Sequence, residues 1–221
     1  MRCSNCGYEL KDDMNFCPKC GTKVISKISN SESTFIDDRD GYGKVYNTVK
    51  IGKQVWMAEN LDYAGNGGVY YKDAVYPPFE KAGRLYTCQQ AMEAVPSGWH
   101  LPNNDEWAIL MDFVGGFAKA GKDLKATNGW DNHDRNFGSG TDKYGFAALP
   151  GGFGILSINS LYGCIRGLGF WWSATEVDVN RAYYYCIYNS RKGAYLEGNH
   201  KVGGTNPPTS IFPEVRTGKK V

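Results

Sequence analysis

The chain has 221 residues, with 25 basic and 23 acidic side chains, and its net charge of +2 creates no field that would select nucleic acid or an anionic membrane. Hydrophobic residues make up 42% and aromatics 14%, with 28 glycines, a composition that excludes a long coiled coil and a disordered chain and favours a loop-rich globular protein. No stretch approaches the roughly 20 apolar residues that cross a bilayer, and no apolar leader follows Met1, so cytoplasm is the expected address.

The first element is set by cysteine. Cys3 and Cys6 form one C-x2-C pair, Cys17 and Cys20 a second, and each pair is followed by a glycine, Gly7 and Gly21. This spacing can put four thiolates at the corners of a tetrahedron, the geometry zinc takes in ribbon-type sites; two disulfides are the competing reading. Four cysteine ligands leave no position for water, so the expected Zn2+ is structural and does no chemistry. Residues 1–24 hold few apolar groups (Tyr8, Leu10, Met14, Phe16, Val24), too few to offset the ordering entropy of so short a segment, and metal binding must supply the rest. The segment resembles the short zinc ribbons found at the N-termini of many bacterial proteins.

Residues 25–33 are polar and serine-rich and read as a linker. The run Tyr46–Ile51, a turn at Gly52-Lys53 and the run Gln54–Met57 predict a hairpin. Asn66-Gly67-Gly68 predicts a turn into a short extended piece at Val69–Tyr71. Residues 84–94 predict a helix with Leu85, Cys88 and Met92 on its buried face, and Trp99–Leu101 a short buried strand. A second helix opens after Pro102, capped by Asn103 or Asn104, with Asp105 and Glu106 in its first turn and a buried stripe of Trp107, Leu110, Met111 and Val114. Beyond residue 121 loops and short strands are expected, with strands at Phe170–Trp172 and Ala182–Ile187 and a hairpin closing on Tyr195-Leu196. The pattern is α+β, with two helices and a tryptophan-centred β region.

Seven landmarks recur in order: Val55–Leu61 (VWMAENL), Gly83–Tyr86 (GRLY), Pro96–Pro102 (PSGWHLP), Glu106-Trp107, Gly140–Phe146 (GTDKYGF), Leu149–Gly152 (LPGG) and Trp171–Glu176 (WWSATE). Together they resemble the Fibrobacter succinogenes major paralogous domain, which is similar to the C-type lectin-like fold of formylglycine-generating enzymes. The resemblance covers roughly residues 35–197 and implies a C-type lectin-like domain over 34–200. Trp56, Trp99, Trp107, Trp171 and Trp172 are the expected core anchors, and Glu59, His100, Thr175 and Glu176 the hydrogen-bond partners that pin its loops. Domains of this family commonly carry a cysteine where Val95 stands and close with a further strand. The tail 201–221, with Asn206-Pro-Pro208 and Phe212-Pro213, cannot supply a central strand there, because proline removes ladder donors, so that closing strand is expected to be missing, replaced or altered.

Three function classes compete. The first is a non-enzymatic binding or display module for an unknown protein or glycan. Residues 178–200 are dense in Tyr, Asn, Ser, Arg and Gly, the types that build recognition surfaces, and Tyr183, Tyr185, Tyr188, Asn189, Arg191 and Tyr195 are the candidate ligand-binding residues. The resemblance implies such a surface, since lectin-like domains diversified by retroelements present one there; a plain strand pair with alternate tyrosines packed inward is the competing reading. The second class is an oxidase like the formylglycine-generating enzymes, for which Cys164 and Cys186 would have to converge on copper; small buried hydrophobes suit both equally. The third is a nucleic-acid-binding ribbon, disfavoured by its balance of Arg2, Lys11, Lys19 and Lys23 against Glu9, Asp12 and Asp13. Asp131, Asp134 and Asp142 supply oxygens suited to calcium, but their spacing matches no EF-hand, and a solvated loop is expected.

Overall fold

The structure, a computed structural model, describes residues 6–9, 17–20, 33–65, 67–68, 83–132, 138–155, 161–200, 210–211 and 218–220. The chain divides into two compact units, Met1–Ser31 and Glu32–Val221. The expected turn at Asn66 and the extended piece at 69–71 lie outside the described residues, as do the prolines of the tail.

In the larger unit, β1 (Ser33–Asp37), β2 (Lys44–Ile51) and β3 (Gln54–Met57) form an antiparallel sheet, and β2 and β3 are the predicted hairpin, turning at Gly52-Lys53. Three helices follow. The first, α1 (Cys88–Glu93), is shorter than predicted, because Thr87 caps it in a reciprocal box with Gln90. That start sets Cys88, Ala91 and Ala94 inward and leaves Met92 40% exposed, so Ala91 and not Met92 completes the buried stripe. Trp99–Leu101 is not a strand; only Leu101 is buried, while Trp99 is half-buried with its ring 5.4 Å from that of Phe35.

The second helix, α2 (Asn104–Phe113), follows prediction closely. Asn103 Oδ1 accepts from the Glu106 N–H, Glu106 Oε2 accepts from the Asn103 N–H, and Trp107, Leu110, Met111 and Val114 are buried. The third, α3 (Phe117–Leu124), is one more than predicted. It begins after Gly115-Gly116 with no side-chain cap, so no start signal precedes it, yet Ala120 and Leu124 lie buried at helical spacing.

The remaining strands are β4 (Phe153–Ile155), β5 (Leu161–Gly163), β6 (Leu168–Asp178), β7 (Arg181–Tyr188), β8 (Ala194–His200), β9 (Ser210–Ile211) and β10 (Gly218–Lys220). They complete a four-stranded sheet β1-β2-β3-β10 and two three-stranded antiparallel sheets, β5-β4-β9 and β6-β7-β8. The tail supplies two short strands: β9 pairs with β4 and β10 with β3. Ser210–Ile211 falls between Pro208 and Pro213 and Gly218–Lys220 beyond them, so neither strand needs a ladder donor from proline.

The sheet β6-β7-β8 is the middle of the core. On one face Trp171, Tyr185, Ile187 and Ala194 pack with Trp56, Trp107, Leu110 and Phe146. On the other Phe170, Trp172, Tyr184 and Cys186 pack with Tyr46, Met57, Tyr86 and Ala91. Burial of both faces explains why β7 reads as a continuous run and not as a clean alternation. Trp172 Nε1 donates to Tyr86 O at 3.0 Å, and Trp130, an anchor the motifs did not single out, donates to Ala148 O at 2.9 Å.

Two neighbours on α2 test this arrangement. Trp107 is 1% exposed and Ile109 54%. Trp107→Ala should lose about 3–5 kcal/mol of unfolding free energy in urea melts, whereas Ile109→Ala should stay within about 0.5 kcal/mol.

Candidate functional site

In the smaller unit the sulfurs of Cys6, Cys17 and Cys20 all lie within 4.8 Å of one another, and Cys6 Sγ is 3.6 Å from Cys17 Sγ. Tetrahedral zinc with bonds of about 2.3 Å holds its sulfurs about 3.8 Å apart, so the three thiols fit one ion. Cys17 is buried and Cys6 half-buried; the predicted fourth ligand, Cys3, lies outside the described residues. The turn after Cys6 needs Gly7, whose φ of +70° would strain any residue bearing a Cβ. Among the described residues this is the one grouping of three or more Cys, His, Asp or Glu ligand atoms.

The aspartates considered for calcium do not converge. Asp131 is ion-paired with Arg166, and Asp142 Oδ1 accepts from the Ala147 N–H at 2.7 Å; Asp134 lies outside the described residues. Of the four expected loop pins, Glu59 accepts from Asn47 N at 2.9 Å, His100 Nε2 meets Glu106 Oε1 at 2.8 Å, and Thr175 Oγ1 accepts from Asn104 N at 2.9 Å. Glu176 is exposed on β6, where burial was expected. Cys88 and Cys186 are buried and Cys164 is exposed, and none of the three forms a disulfide among the described residues. Burial pushes the Cys186 thiol up to about 12, which suits a packing role and not a nucleophile.

The six candidate ligand-binding residues divide by the period of the strand. Tyr183 and Tyr185 point to one face of β7, Tyr188 to the other with Tyr195, which pairs beside Cys186. Tyr185 is a correction: it is 2% exposed, its ring stacked 4.7 Å from Trp107 and 6.1 Å from Phe117, so it is core and not a contact residue. At the exposed end the Tyr188 and Tyr195 rings meet edge to face at 5.4 Å, and the Arg191 guanidinium lies 5.3 and 5.1 Å from their centres. Arg191 thus rides over two rings as a paired cation–π contact. Asn189 ties the turn down, its N–H donating to Gly167 O at 2.8 Å and its Nδ2 to Asp131 O at 3.3 Å.

Three residues outside the predicted set complete the surface. Tyr184 Oη donates to Glu197 at 2.6 Å and Tyr188 Oη to the other carboxylate oxygen at 3.2 Å. Burial, together with the Glu197 charge, holds both phenols well above the usual tyrosine range. Beneath the turn, Lys125 is 1% exposed and its Nζ donates to Gly138 O at 2.8 Å, Tyr188 O at 3.3 Å and Arg191 O at 3.4 Å. A lysine in a mostly polar stretch gives no sequence sign of burial; only the closeness of α3 to the turn makes it a pin. Gly121 permits that closeness, since a Cβ there would fall 2.3 Å from Gly193 O.

Burial lowers Lys125 to about 8 from a model-peptide value of 10.5. From about pH 8 the unfolded chain holds the Lys125 proton that the native chain has lost, so stability rises with pH until about pH 9, where the unfolded chain gives up the Cys186 proton that the buried thiol keeps and the rise is offset. The net gain is on the order of 1 kcal/mol. Above about pH 10 unfolded tyrosines ionise while the buried ones stay neutral, which reverses the trend. Urea midpoints measured from pH 7 to 11 should therefore rise and then fall, and Lys125→Met should abolish the rise while keeping the fall.

Two family descriptions match the chain: a zinc-ribbon domain over residues 2–24 and the Fibrobacter succinogenes major domain over residues 49–203. No curated protein and no solved structure matches it. The second match spans more than half of the chain and contains the helices, the sheet β6-β7-β8 and the Tyr188–Arg191–Tyr195 surface. The chain therefore belongs to the Fibrobacter succinogenes major domain family, joined to an N-terminal zinc-ribbon domain.

Proposed function

We propose that this protein is a zinc-stabilised, non-enzymatic binding protein whose larger, C-type lectin-like domain presents the Tyr188–Arg191–Tyr195 surface to a protein or glycan ligand. The observation that carries the reading is the mounting of that surface. Two half-buried rings and one exposed guanidinium are fixed from below by Lys125 and from the side by Glu197, so little conformational entropy is left to lose on binding. Tyrosine and arginine are the side chains that contribute most at interface centres. Similarity to the formylglycine-generating fold is part of this proposal, and so is a reducing, cytoplasmic compartment, where the zinc thiolates stay unoxidised.

In the ribbon Cys6, Cys17 and Cys20, with Cys3 as the expected fourth ligand, would hold Zn2+ as a structural ion. Purified protein should carry one zinc per chain by atomic emission, and Cys17→Ser should lose it. All six tryptophans lie outside residues 1–24, so chelation should expose ribbon thiols to a colorimetric reagent while leaving tryptophan fluorescence unchanged. Zinc-free wild-type protein would remove the metal reading.

For the surface, wild type, Arg191→Ala and Tyr195→Ala are compared on a glycan array and a displayed peptide library. A binder retained by wild type and weakened about tenfold or more by Arg191→Ala is the expected result. If every captured binder tolerates both substitutions, the surface is not the site.

A further inference from the structure

Two carbonyls of the Tyr188–Arg191–Tyr195 surface turn inward to one amine. Lys125 Nζ donates to Tyr188 O at 3.3 Å and Arg191 O at 3.4 Å, and also to Gly138 O at 2.8 Å. An ammonium carries three N–H donors and no acceptor, whereas a free amine carries two donors and a lone pair. With at least these three oxygens converging, loss of one proton leaves one of them facing a lone pair. The bonds to the turn are longer than the bond to Gly138, so the deficit falls on the turn.

The ends of the turn are fastened independently of that proton. Asn189 N–H donates to Gly167 O and Lys122 N–H to Lys192 O, each at 2.8 Å. Tyr188 O also accepts from the Arg191 N–H at 3.3 Å, so Arg191 O is the oxygen that depends most on Lys125. The same residue bears the guanidinium over the Tyr188 and Tyr195 rings, which puts any release one residue from the exposed face.

Charged groups packed around the amine have their own engagements. On α3 and the loop beside it, Asp123 accepts from Thr141 Oγ1 at 3.4 Å and Asp142 from the Ala147 N–H at 2.7 Å. Toward β7, Asp131 is ion-paired with Arg166, and Glu197 accepts from Tyr188 Oη at 3.2 Å. Lys122, Lys143 and Lys192 are exposed. Burial lowers Lys125 to about 8, while it raises the Cys186 thiol to about 12 and holds the Tyr184 and Tyr188 phenols above the usual tyrosine range. Between pH 7 and 9 the amine changes charge and these three do not.

We propose that Lys125 is a proton-operated positioning residue: its ammonium closes the β7–β8 turn beneath Arg191, and loss of one proton releases the Arg191 carbonyl and loosens the surface. The consequence for ligands rests on that surface being the binding site; the motion of the turn does not.

Heteronuclear NMR on isotope-labelled, full-length, zinc-loaded protein from about pH 7 to about pH 9.5 tests the switch. The Lys125 Cε signal, assigned by its loss in Lys125→Met, should titrate with a midpoint near 8. Amide protection at Ser190–Lys192, corrected for the intrinsic exchange rate, should fall across the same midpoint, while Trp171 and Trp172 stay protected. Lys125→Met should hold the turn at its low protection throughout. An N-acetylated library peptide free of histidine and cysteine, retained at pH 7, should bind about tenfold more weakly at pH 9, because the closed fraction falls from about nine-tenths to about one-tenth. A Lys125 amine that keeps its proton throughout, or that titrates while turn protection stays constant, overturns the proposal. So does a peptide weakened by Arg191→Ala whose binding ignores this pH change. If turn protection follows Lys125 but every captured peptide tolerates Arg191→Ala, the switch stands and the binding site lies elsewhere.

Discussion

Trp107 lies between the Trp56 ring of β3, 4.9 Å away, and the Tyr185 ring of β7, 4.7 Å away, and this stack joins α2 to two separate sheets. Large aromatic rings suit such a junction because each buries 150–250 Å2 and still pairs with directional geometry. Phe146 extends the stack to Trp171 on β6, and Phe117 extends it to α3. The consequences reach the surface. Recruiting Tyr185 into the stack turns Tyr184, Cys186 and Tyr188 to the opposite face of β7, and Glu197 of β8 is brought beside them.

The β7–β8 turn is organised by a different force. Its carbonyls converge on a buried ammonium group, a costly arrangement that is tolerable only when hydrogen bonds replace the lost hydration. Lys125 meets three carbonyl oxygens and lies 5.1 Å from the Trp130 ring, which offsets part of that cost. A short hydrophobic side chain would fill the space but would leave the carbonyls of Tyr188 and Arg191 unsatisfied. Rigidity at Arg191 is thus maintained by a residue more than sixty positions away in the chain.

Local patterns were readable where one face or one turn decided the outcome. The β2–β3 hairpin, the Asn103 cap and the α2 stripe all follow from nearest neighbours. The misreadings share a cause. Helix α3 lacks a capping side chain, Met92 was displaced from its face by a later helix start, and the tail strands are too short to carry a periodicity. In each, distant partners supplied the stabilisation that no local signal announced. At the surface, Arg191, Tyr188 and Tyr195 were identifiable by residue type, while Lys125, Tyr184 and Glu197 were not, because only strand register and helix approach unite them.

By itself the sequence determined the zinc-ribbon motif and the family. Cysteine spacing and ordered motifs are local or linear properties, and no packing is needed to read them. Which tyrosines meet solvent was decided only in the tertiary structure. A strand alternates its side chains between two faces, and β7 buries both, so exposure depends on what covers each face and where that cover ends. It ends at Tyr188, and the turn beyond it is where Arg191 and Tyr195 come together.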